Sequence, residues 1–225
     1  MPKIVDHDER REELARAAVR AIDRLGLEGA TMREIAREAG FSTGVLGHYF
    51  ESKDDIVLMA LRFMMRGTLG RLAVISSELR GLKAAHEMAA ELLPLDARRA
   101  KENRVWAVYW AQALTSPRLR REYQKNDALL RGFLRNVLQE AIDDGELAPS
   151  VDAALEANRL LALSDGVSVQ ALFDRTFWTD ARQVDAIDVH LDDLQARGAR
   201  GARAPVGGAQ RDPGRERRTA SGRRR

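Results

Sequence analysis

The residues best suited to contact another molecule are concentrated in one short stretch, 31–53. Thr43 offers a hydroxyl and a methyl group to base edges, while Gly44 and Gly47 allow a backbone to approach DNA closely. His48 can donate or accept a hydrogen bond at a base edge or a phosphate, and flanking side chains can hold phosphates. The full set of candidate DNA-contacting residues is Thr31, Arg33, Ser42, Thr43, Gly44, Gly47, His48, Tyr49 and Lys53.

Residue types that catalyse reactions are sparse in this chain. It has no cysteine, and its four histidines are far apart, with no partner at a metal-ligand spacing. No glycine-rich phosphate loop follows a predicted strand. We therefore expect no enzyme, no catalytic residue, no metal site and no cofactor. A helical scaffold that does not bind DNA is the other alternative, and it would lack salt-sensitive binding to duplex DNA.

Two short helices are predicted to position the candidate DNA-contacting residues. Thr31 is a good N-cap, and Glu34 completes a capping box for a helix that stops at Gly40. Ser42 is predicted to cap a second helix, 43–50, which is too short to form without packing. Two helices joined by a glycine-containing turn predict a helix-turn-helix unit, whose second helix enters the major groove with its first residues facing base edges.

Some side chains in this stretch have a second interpretation. Phe50 is expected in the core, and Tyr49 either contacts DNA or packs there too. Arg37 and Glu38 are equally consistent with a solvated helix face. Because any helical bundle can contain two short capped helices, spacing alone leaves DNA binding open.

The order of these residues resembles the TetR family of bacterial regulators. The resemblance covers about residues 10–60 and rests on Thr-x-x-x-Ile-Ala-x-x-Ala-Gly-x-Ser-x-Gly followed by Tyr-Phe-x-x-Lys. It implies an all-α fold, dimerisation and a repressor released by a small-molecule effector. Gly47 departs from the pattern, because many relatives carry a tyrosine there that helps to contact DNA.

The rest of the chain is similar to one branch of that family, the BetI-type regulators of choline and betaine metabolism. The similar segments are 42–50, Trp110-Ala-Gln-Ala-Leu-Thr-Ser-Pro117 and Leu163-Ser-Asp-Gly-Val167. The resemblance implies a helical C-terminal domain for ligand binding and dimerisation. Effectors diverge within this branch, so choline is one candidate and the effector stays unidentified.

Apolar residues recur at three-to-four spacing almost throughout, which predicts an all-α fold. The first helix is expected from about Asp8 to Leu25, with Gly26 as its stop, and a long helix is expected from Ser52 to about Ser77. Five more are predicted at 82–92, 96–115, 117–144, 151–174 and 180–196. The predicted organisation is a helix-turn-helix DNA-binding domain (1–53), a helical ligand-binding and dimerisation domain (54–196) and a disordered Arg-rich tail (197–225).

Charge does not by itself argue for DNA binding. The chain carries a formal net charge of +3, but ten arginines against two acids lie in 197–225, so the folded part is mildly acidic. The tail either adds nonspecific DNA affinity or is a solvated end. The chain has no cysteine, its first 20 residues are charged rather than apolar, and it has no apolar run of roughly 20 residues. We therefore expect a cytoplasmic protein with no membrane partner.

A row of aromatic residues marks the candidate ligand site. Trp106, Tyr109, Trp110 and Ala113 share one helix face, which is typical of core packing and also of a pocket. Such rings could surround a quaternary ammonium or another cation, with Asp165 as the balancing carboxylate. Asp165 is also consistent with a hydrogen-bonded structural acid at an interface.

The segment 160–173 is apolar on nearly all sides, so it must be buried on more than one face. Packing against its own subunit and against the same helix of a second copy would satisfy this pattern, and Gly166 would ease close approach. A symmetric dimer places two reading helices on an inverted repeat. The expected partners are double-stranded DNA, a second copy of the chain and a small-molecule effector.

Overall fold

The computed structural model describes residues 7–47 and 49–201, with side chains described for all of these except residues 7, 8, 53 and 198–201. All regular structure in this part of the chain is helical, which confirms the all-α prediction. The helices are α1 (His7–Gly29), α2 (Met32–Ala39), α3 (Thr43–Leu46), α4 (Lys53–Glu78), α5 (Gly81–Glu91), α6 (Ala97–Ala113), α7 (Pro117–Asp143), α8 (Ala153–Phe173) and α9 (Asp180–Gly201). No helix in the described ranges is long and apolar enough to span a bilayer.

Helix α1 packs its predicted apolar stripe inward. Leu14, Ala18 and Ile22 are buried, whereas Leu25, the fourth member of the stripe, is 41% exposed. Gly26 has φ of 66°, a conformation that glycine adopts without strain, and it kinks the helix where the sequence predicts a stop. The helical conformation is interrupted at Gly26, as predicted, and one further turn follows to Gly29.

Helix α4 connects two cores. Its first half, including Ile56, Ala60 and Met64, packs in the core of the N-terminal helices. Farther along, Leu72 packs in the C-terminal core, which α5, α7, α8 and α9 complete. A movement of α4 would therefore change the packing of both cores.

A third apolar cluster lies where α4 meets α6 and α7. Leu58 and Leu61 pack there against Tyr109 and Leu119, all four of which are buried. This cluster is the apolar joint between the helix-turn-helix unit and the larger helical domain.

The last helix extends beyond its predicted end. Helix α9 continues to Gly201, whereas the sequence predicts a helix to residue 196 and a tail from 197. Alanine and arginine at 196–200 favour helix more than the glycines at 198 and 201 oppose it. The remainder of the predicted tail, 202–225, lies outside the described residues.

Candidate DNA-reading unit and ligand cavity

Helix α2 begins and ends as its sequence predicts. The Thr31 hydroxyl accepts a hydrogen bond of 3.3 Å from the Glu34 N–H. At the other end, Gly40 has φ of 71° and the Phe41 N–H donates to the Ala36 carbonyl at 2.9 Å. This left-handed cap turns the chain sharply toward α3.

The predicted capping box at this helix is only half formed. The Glu34 carboxylate accepts a hydrogen bond of 2.6 Å from Arg37 instead of returning to Thr31. That hydrogen bond lowers the pKa of Glu34 below its ordinary value. Glu38 is not merely solvated, because Arg24 and Arg20 contact its carboxylate at 2.6 and 3.2 Å. These pairs fix α2 against α1.

Helix α3 is shorter than predicted. It ends at Leu46, and the N–H groups of Tyr49 and Phe50 then both donate to the Leu46 carbonyl, at 2.8 and 3.1 Å. Glycine at 47 lowers helix propensity, and burial of Leu46 and Phe50 holds the following turn in place. Ser42 occupies the N-cap position of α3, as predicted, but its side chain makes no capping hydrogen bond.

The candidate DNA-contacting residues form an exposed surface on this unit. Ser42, Thr43, Gly44 and Gly47 are exposed at and along α3, whereas Leu46 is buried. Thr31 and Arg33 are exposed at the beginning of α2, and Tyr49 is half-buried against the N-terminal core. His48 and the side chain of Lys53 lie outside the described residues.

The beginning of α4 joins this unit to the larger domain. Ser52 and Asp55 form a complete capping box. Asp55 also accepts a 2.6 Å hydrogen bond from Arg118, and Asp54 accepts one of 2.6 Å from the Ser116 hydroxyl. Burial raises the pKa of Asp55, but hydrogen bonds from the Glu51 N–H, Arg118 and Ser52 outweigh it and lower that pKa overall. The first turn of α4 is thus tied to the start of α7.

A cavity of 50 Å³ lies among α4, α5, α6, α7 and α8. Trp106 and Trp110, both predicted ligand residues, line it with ring centroids 6.3 Å apart. Asp165 lines it from α8 and Tyr123 from α7. The structure thus brings together three of the four predicted ligand residues.

Tyr109, the fourth predicted ligand residue, does not line this cavity. It is buried in the apolar joint, and its hydroxyl donates a 2.7 Å hydrogen bond to the Leu119 carbonyl. Burial raises the pKa of this hydroxyl well above its ordinary value. Although Tyr109 contacts the Trp106 ring edge-to-face, its polar atom is committed to the fold.

The carboxylates around the cavity differ in their partners. Arg71 contacts Glu91 at 2.5 Å and Glu102 at 2.8 Å. Asp127 pairs with Arg131 and accepts a long hydrogen bond of 3.4 Å from the Tyr123 hydroxyl. These carboxylates are therefore already balanced by side chains of the protein.

Asp165 is the exception among them. Within the described residues it makes no hydrogen bond or ion pair, and burial raises its pKa to about 6. A carboxylate in this position favours a bound cation, because burial without a partner is costly. Asp165 was predicted from the sequence, whereas Glu91, Glu102, Tyr123 and Asp127 were not. Glu91, Tyr123 and Asp127 lie on other helices, so no local spacing connects them to the tryptophans. Glu102 lies on α6 four residues before Trp106, and this i, i+4 spacing could have identified it.

An exposed apolar surface runs along the outer side of α8 and α9. Leu155 and Phe173 on α8 are 44% and 87% exposed, and Val189 on α9 is 61% exposed. Gly166 lies between the two α8 residues and is half-buried, with no atom within 4 Å of the position of an added Cβ. Helix α8 thus has an inner face in the core and an outer face without a partner in one copy of the chain.

Comparisons with known proteins agree with this architecture. Residues 14–60 match the model for bacterial regulatory proteins of the tetR family, and residues 82–196 match the model for the C-terminal domain of BetI-type transcriptional repressors. The chain is 32% identical over 177 residues to the HTH-type transcriptional regulator PksA of Bacillus subtilis, covering 77% of this chain and 84% of PksA.

Two solved structures are similar along most of the chain. A transcriptional regulator from Rhodococcus sp. Rha1 superposes with a TM-score of 0.73 at 31% identity, covering 83% of this chain and 96% of that one. A putative regulator from Saccharomonospora viridis, solved in complex with choline, gives a TM-score of 0.69 at 27% identity, covering 83% and 95%.

The fold, the helix-turn-helix unit and these matches define a class, that of ligand-responsive transcriptional regulators rather than enzymes. The chain belongs to the TetR family, with a C-terminal domain of the BetI type. The resemblance found in the sequence is thereby confirmed.

Proposed function

We propose that this protein is a repressor that binds an inverted-repeat operator as a homodimer and leaves it when a small cation occupies the cavity. The single observation that carries the DNA-binding part is the exposed face of α3. Thr43, Gly44 and Gly47 are accessible there, while Leu46 is completely buried behind them. A helix that is packed against the core and still has exposed residues can enter the major groove.

Roles for the other residues follow from their positions. We expect Thr43 to contact base edges. The Ser42 hydroxyl makes no capping hydrogen bond, so it is available to contact DNA as well. Thr31 and Arg33, at the exposed beginning of α2, suit phosphates. For Tyr49 we propose a phosphate contact through its hydroxyl, with its ring in the core. His48 and Lys53 stay predictions from the sequence.

The proposed dimer uses the outer faces of α8 and α9. An exposed phenylalanine such as Phe173 is costly in a lone subunit, and burial in a two-fold interface removes that cost. A two-fold axis between subunits would present two α3 helices to an inverted repeat. As a DNA-binding regulator, the dimer is expected to work in the cytoplasm.

The proposed effector is a small organic cation. Trp106, Trp110 and Tyr123 can face a cation with their rings, and the unpaired Asp165 carboxylate can balance its charge. The similar regulator from Saccharomonospora viridis was solved with choline, which has this chemistry. The cavity of 50 Å³ favours a ligand of few atoms.

Helices α6 and α7 connect the ligand cavity to the helix-turn-helix unit. Helix α6 carries the two tryptophans, and α7 carries Tyr123. At its start, α7 holds α4 through the Ser116–Asp54 and Arg118–Asp55 contacts. A cation that displaces α6 or α7 would therefore shift α4 and change the separation of the two reading helices, which lowers operator affinity.

Fluorescence anisotropy of the full chain on DNA from upstream of its gene tests this proposal. A scrambled duplex is the comparison, at two salt concentrations. We expect preferential binding with two subunits per site, at least about tenfold weaker in Thr43→Ala. The matched control is Thr115→Ala, which removes another exposed threonine hydroxyl, between α6 and α7.

The effector is tested in the same assay. Choline and tetramethylammonium should release wild-type protein from DNA but leave Asp165→Asn bound. Unchanged DNA binding at saturating concentrations of every cation that binds would contradict the proposed release. Absence of duplex binding even at low salt would instead favour the helical scaffold.

A further inference from the structure

A second concave site, separate from the cavity, lies where α1 meets α4 and α6. This groove has a volume of 620 Å³ and an apolar floor that includes Val19, Phe63 and Met64. Its walls carry an excess of cationic side chains. The six cations are Arg16, Arg20, Arg66, Arg71, Arg98 and Lys101.

Four of these cations are already paired. Arg16 contacts Glu12 at 2.7 Å, and Arg20 contacts Glu38 at 3.2 Å. Arg71 contacts Glu102 at 2.8 Å, and Arg98 contacts the same carboxylate at 3.2 Å. Arg71 and Arg98 also contact Glu91. The two carboxylates, Glu91 and Glu102, therefore balance the two guanidinium groups.

Arg66 and Lys101 are the remaining two cations. Neither makes a hydrogen bond or ion pair within the described part of the chain, and Lys101 is half-buried. The groove therefore has an excess of two positive charges facing a space large enough for a small molecule.

We propose that this groove binds a small oxyanion with two negative charges, such as a phosphate or a dicarboxylate. Arg66 and Lys101 are its principal contacts, because their donors are free, and charge-assisted hydrogen bonds to oxyanions are among the strongest available. Arg71 and Arg98 line the same groove and can turn toward the anion at the expense of their present partners.

The position of the site gives it a consequence for regulation. Glu102 lines both the groove and the aromatic cavity, and Arg71 contacts it between them. An anion that draws Arg71 away would leave Glu102 less neutralised and strengthen binding of a cation in the cavity. By linkage, the cation would strengthen anion binding equally. This coupling rests on the proposed cation effector, whereas the anion site itself does not.

Isothermal titration calorimetry of the full chain tests the site with inorganic phosphate and with succinate, at ionic strength held constant by sodium chloride. We expect saturable binding of at least one of them, weakened about tenfold or more in Lys101→Gln and in Arg66→Gln. The control is Lys83→Gln, which removes an exposed lysine on α5 that has no ion pair with a described residue and should bind as wild type. Lys101→Arg should retain binding.

The two probes distinguish the source of the charge. Binding of phosphate alone assigns a phosphorylated ligand, binding of succinate alone a dicarboxylate, and binding of both a general dianion site. No saturable binding of either probe, or equal binding by Lys101→Gln, Arg66→Gln and wild type, overturns the proposal. Weakened DNA binding by these variants without any anion binding also overturns it, because the groove would then hold the DNA backbone. Operator binding and its release by cations are measured separately. A failure of the anion site is therefore distinguishable from a failure of the proposed function.

Discussion

The Asp23 carboxylate on α1 accepts a hydrogen bond of 2.6 Å from Nε of Arg104 on α6. This pair connects the first helix of the DNA-reading unit to the helix that carries both cavity tryptophans. Asp23 is mostly buried and Arg104 is about half exposed. The pair therefore adds a directional contact to the apolar joint formed by Leu58, Leu61, Tyr109 and Leu119.

A double-mutant cycle with Asp23→Asn and Arg104→Gln should give a coupling energy of about 0.5–1 kcal/mol in the free energy of unfolding. Solvent at Arg104 screens the pair, so the coupling should decrease in high salt. Urea unfolding of the four proteins at two salt concentrations measures it. Strictly additive effects would mean that the two side chains do not interact in solution.

Tyr109→Phe should separate structure from ligand binding. Loss of the hydroxyl leaves the buried Leu119 carbonyl without its hydrogen bond, which should lower the free energy of unfolding by about 1–2 kcal/mol. Affinity for tetramethylammonium should stay unchanged, because Tyr109 does not line the cavity. Calorimetric titration beside Trp110→Leu, which should lose affinity, is the comparison. A Tyr109→Phe variant that loses affinity while remaining folded would return Tyr109 to the ligand site.

Gly44→Ala tests whether the backbone of α3 approaches DNA closely. A Cβ at residue 44 would meet only the Ser42 hydroxyl oxygen, at 3.9 Å, so nothing inside the protein requires glycine there. Alanine should raise the free energy of unfolding by up to about 1 kcal/mol, whereas operator affinity should fall about tenfold or more. Gly70→Ala on α4 is the control, since no atom lies within 4 Å of its added Cβ and it is far along the chain from α3. Equal operator affinity of Gly44→Ala and wild type would exclude a close backbone contact at this residue.

Asp165 should make both stability and cation affinity depend on pH. Burial raises its pKa from the ordinary 3.8 to about 6, so its carboxyl holds a proton more tightly in the folded state than in the unfolded state. The stability gained in this way is complete below about pH 4 and is lost as pH rises through about 6. Without ligand at pH 7.5, Asp165→Asn should therefore be more stable than wild type by about 1–3 kcal/mol.

Thermal unfolding from pH 4 to pH 8 measures this difference, which should disappear at the acid end. A bound cation needs the ionised carboxylate, so wild-type affinity for tetramethylammonium should fall about tenfold for each pH unit below 6. The control is Asp152→Asn, which removes an exposed capping carboxylate at the start of the same helix. If wild type and Asp165→Asn have parallel stability profiles, Asp165 has a partner that the folded chain does not reveal.

Local patterns predicted the elements well but not the cavity. Caps at Thr31, Ser52 and Gly40 are decided by neighbours within four residues, so the sequence alone located them. The length of α3 could not be read this way, because it depends on where Leu46 and Phe50 meet the core.

The same distinction separates the residues of the candidate ligand site. Trp106 and Trp110 share a helix face, and helical spacing alone predicted their proximity. Tyr109 has the same spacing but points into the joint between helices, which only packing decides. Glu91 on α5 and Tyr123 on α7 join the cavity from positions that no periodicity connects to the tryptophans, and their roles depend on how α5, α6 and α7 pack together.

The most direct test of DNA reading by α3 is selection of bound duplexes from a random DNA library by the protein. We expect an inverted repeat to be enriched, and we expect Thr43→Ala to change or lose base preference at symmetric positions in both halves. No enriched sequence at low salt, or the same repeat selected equally well by Thr43→Ala, Gly44→Ala and wild type, would contradict the claim that α3 reads the operator.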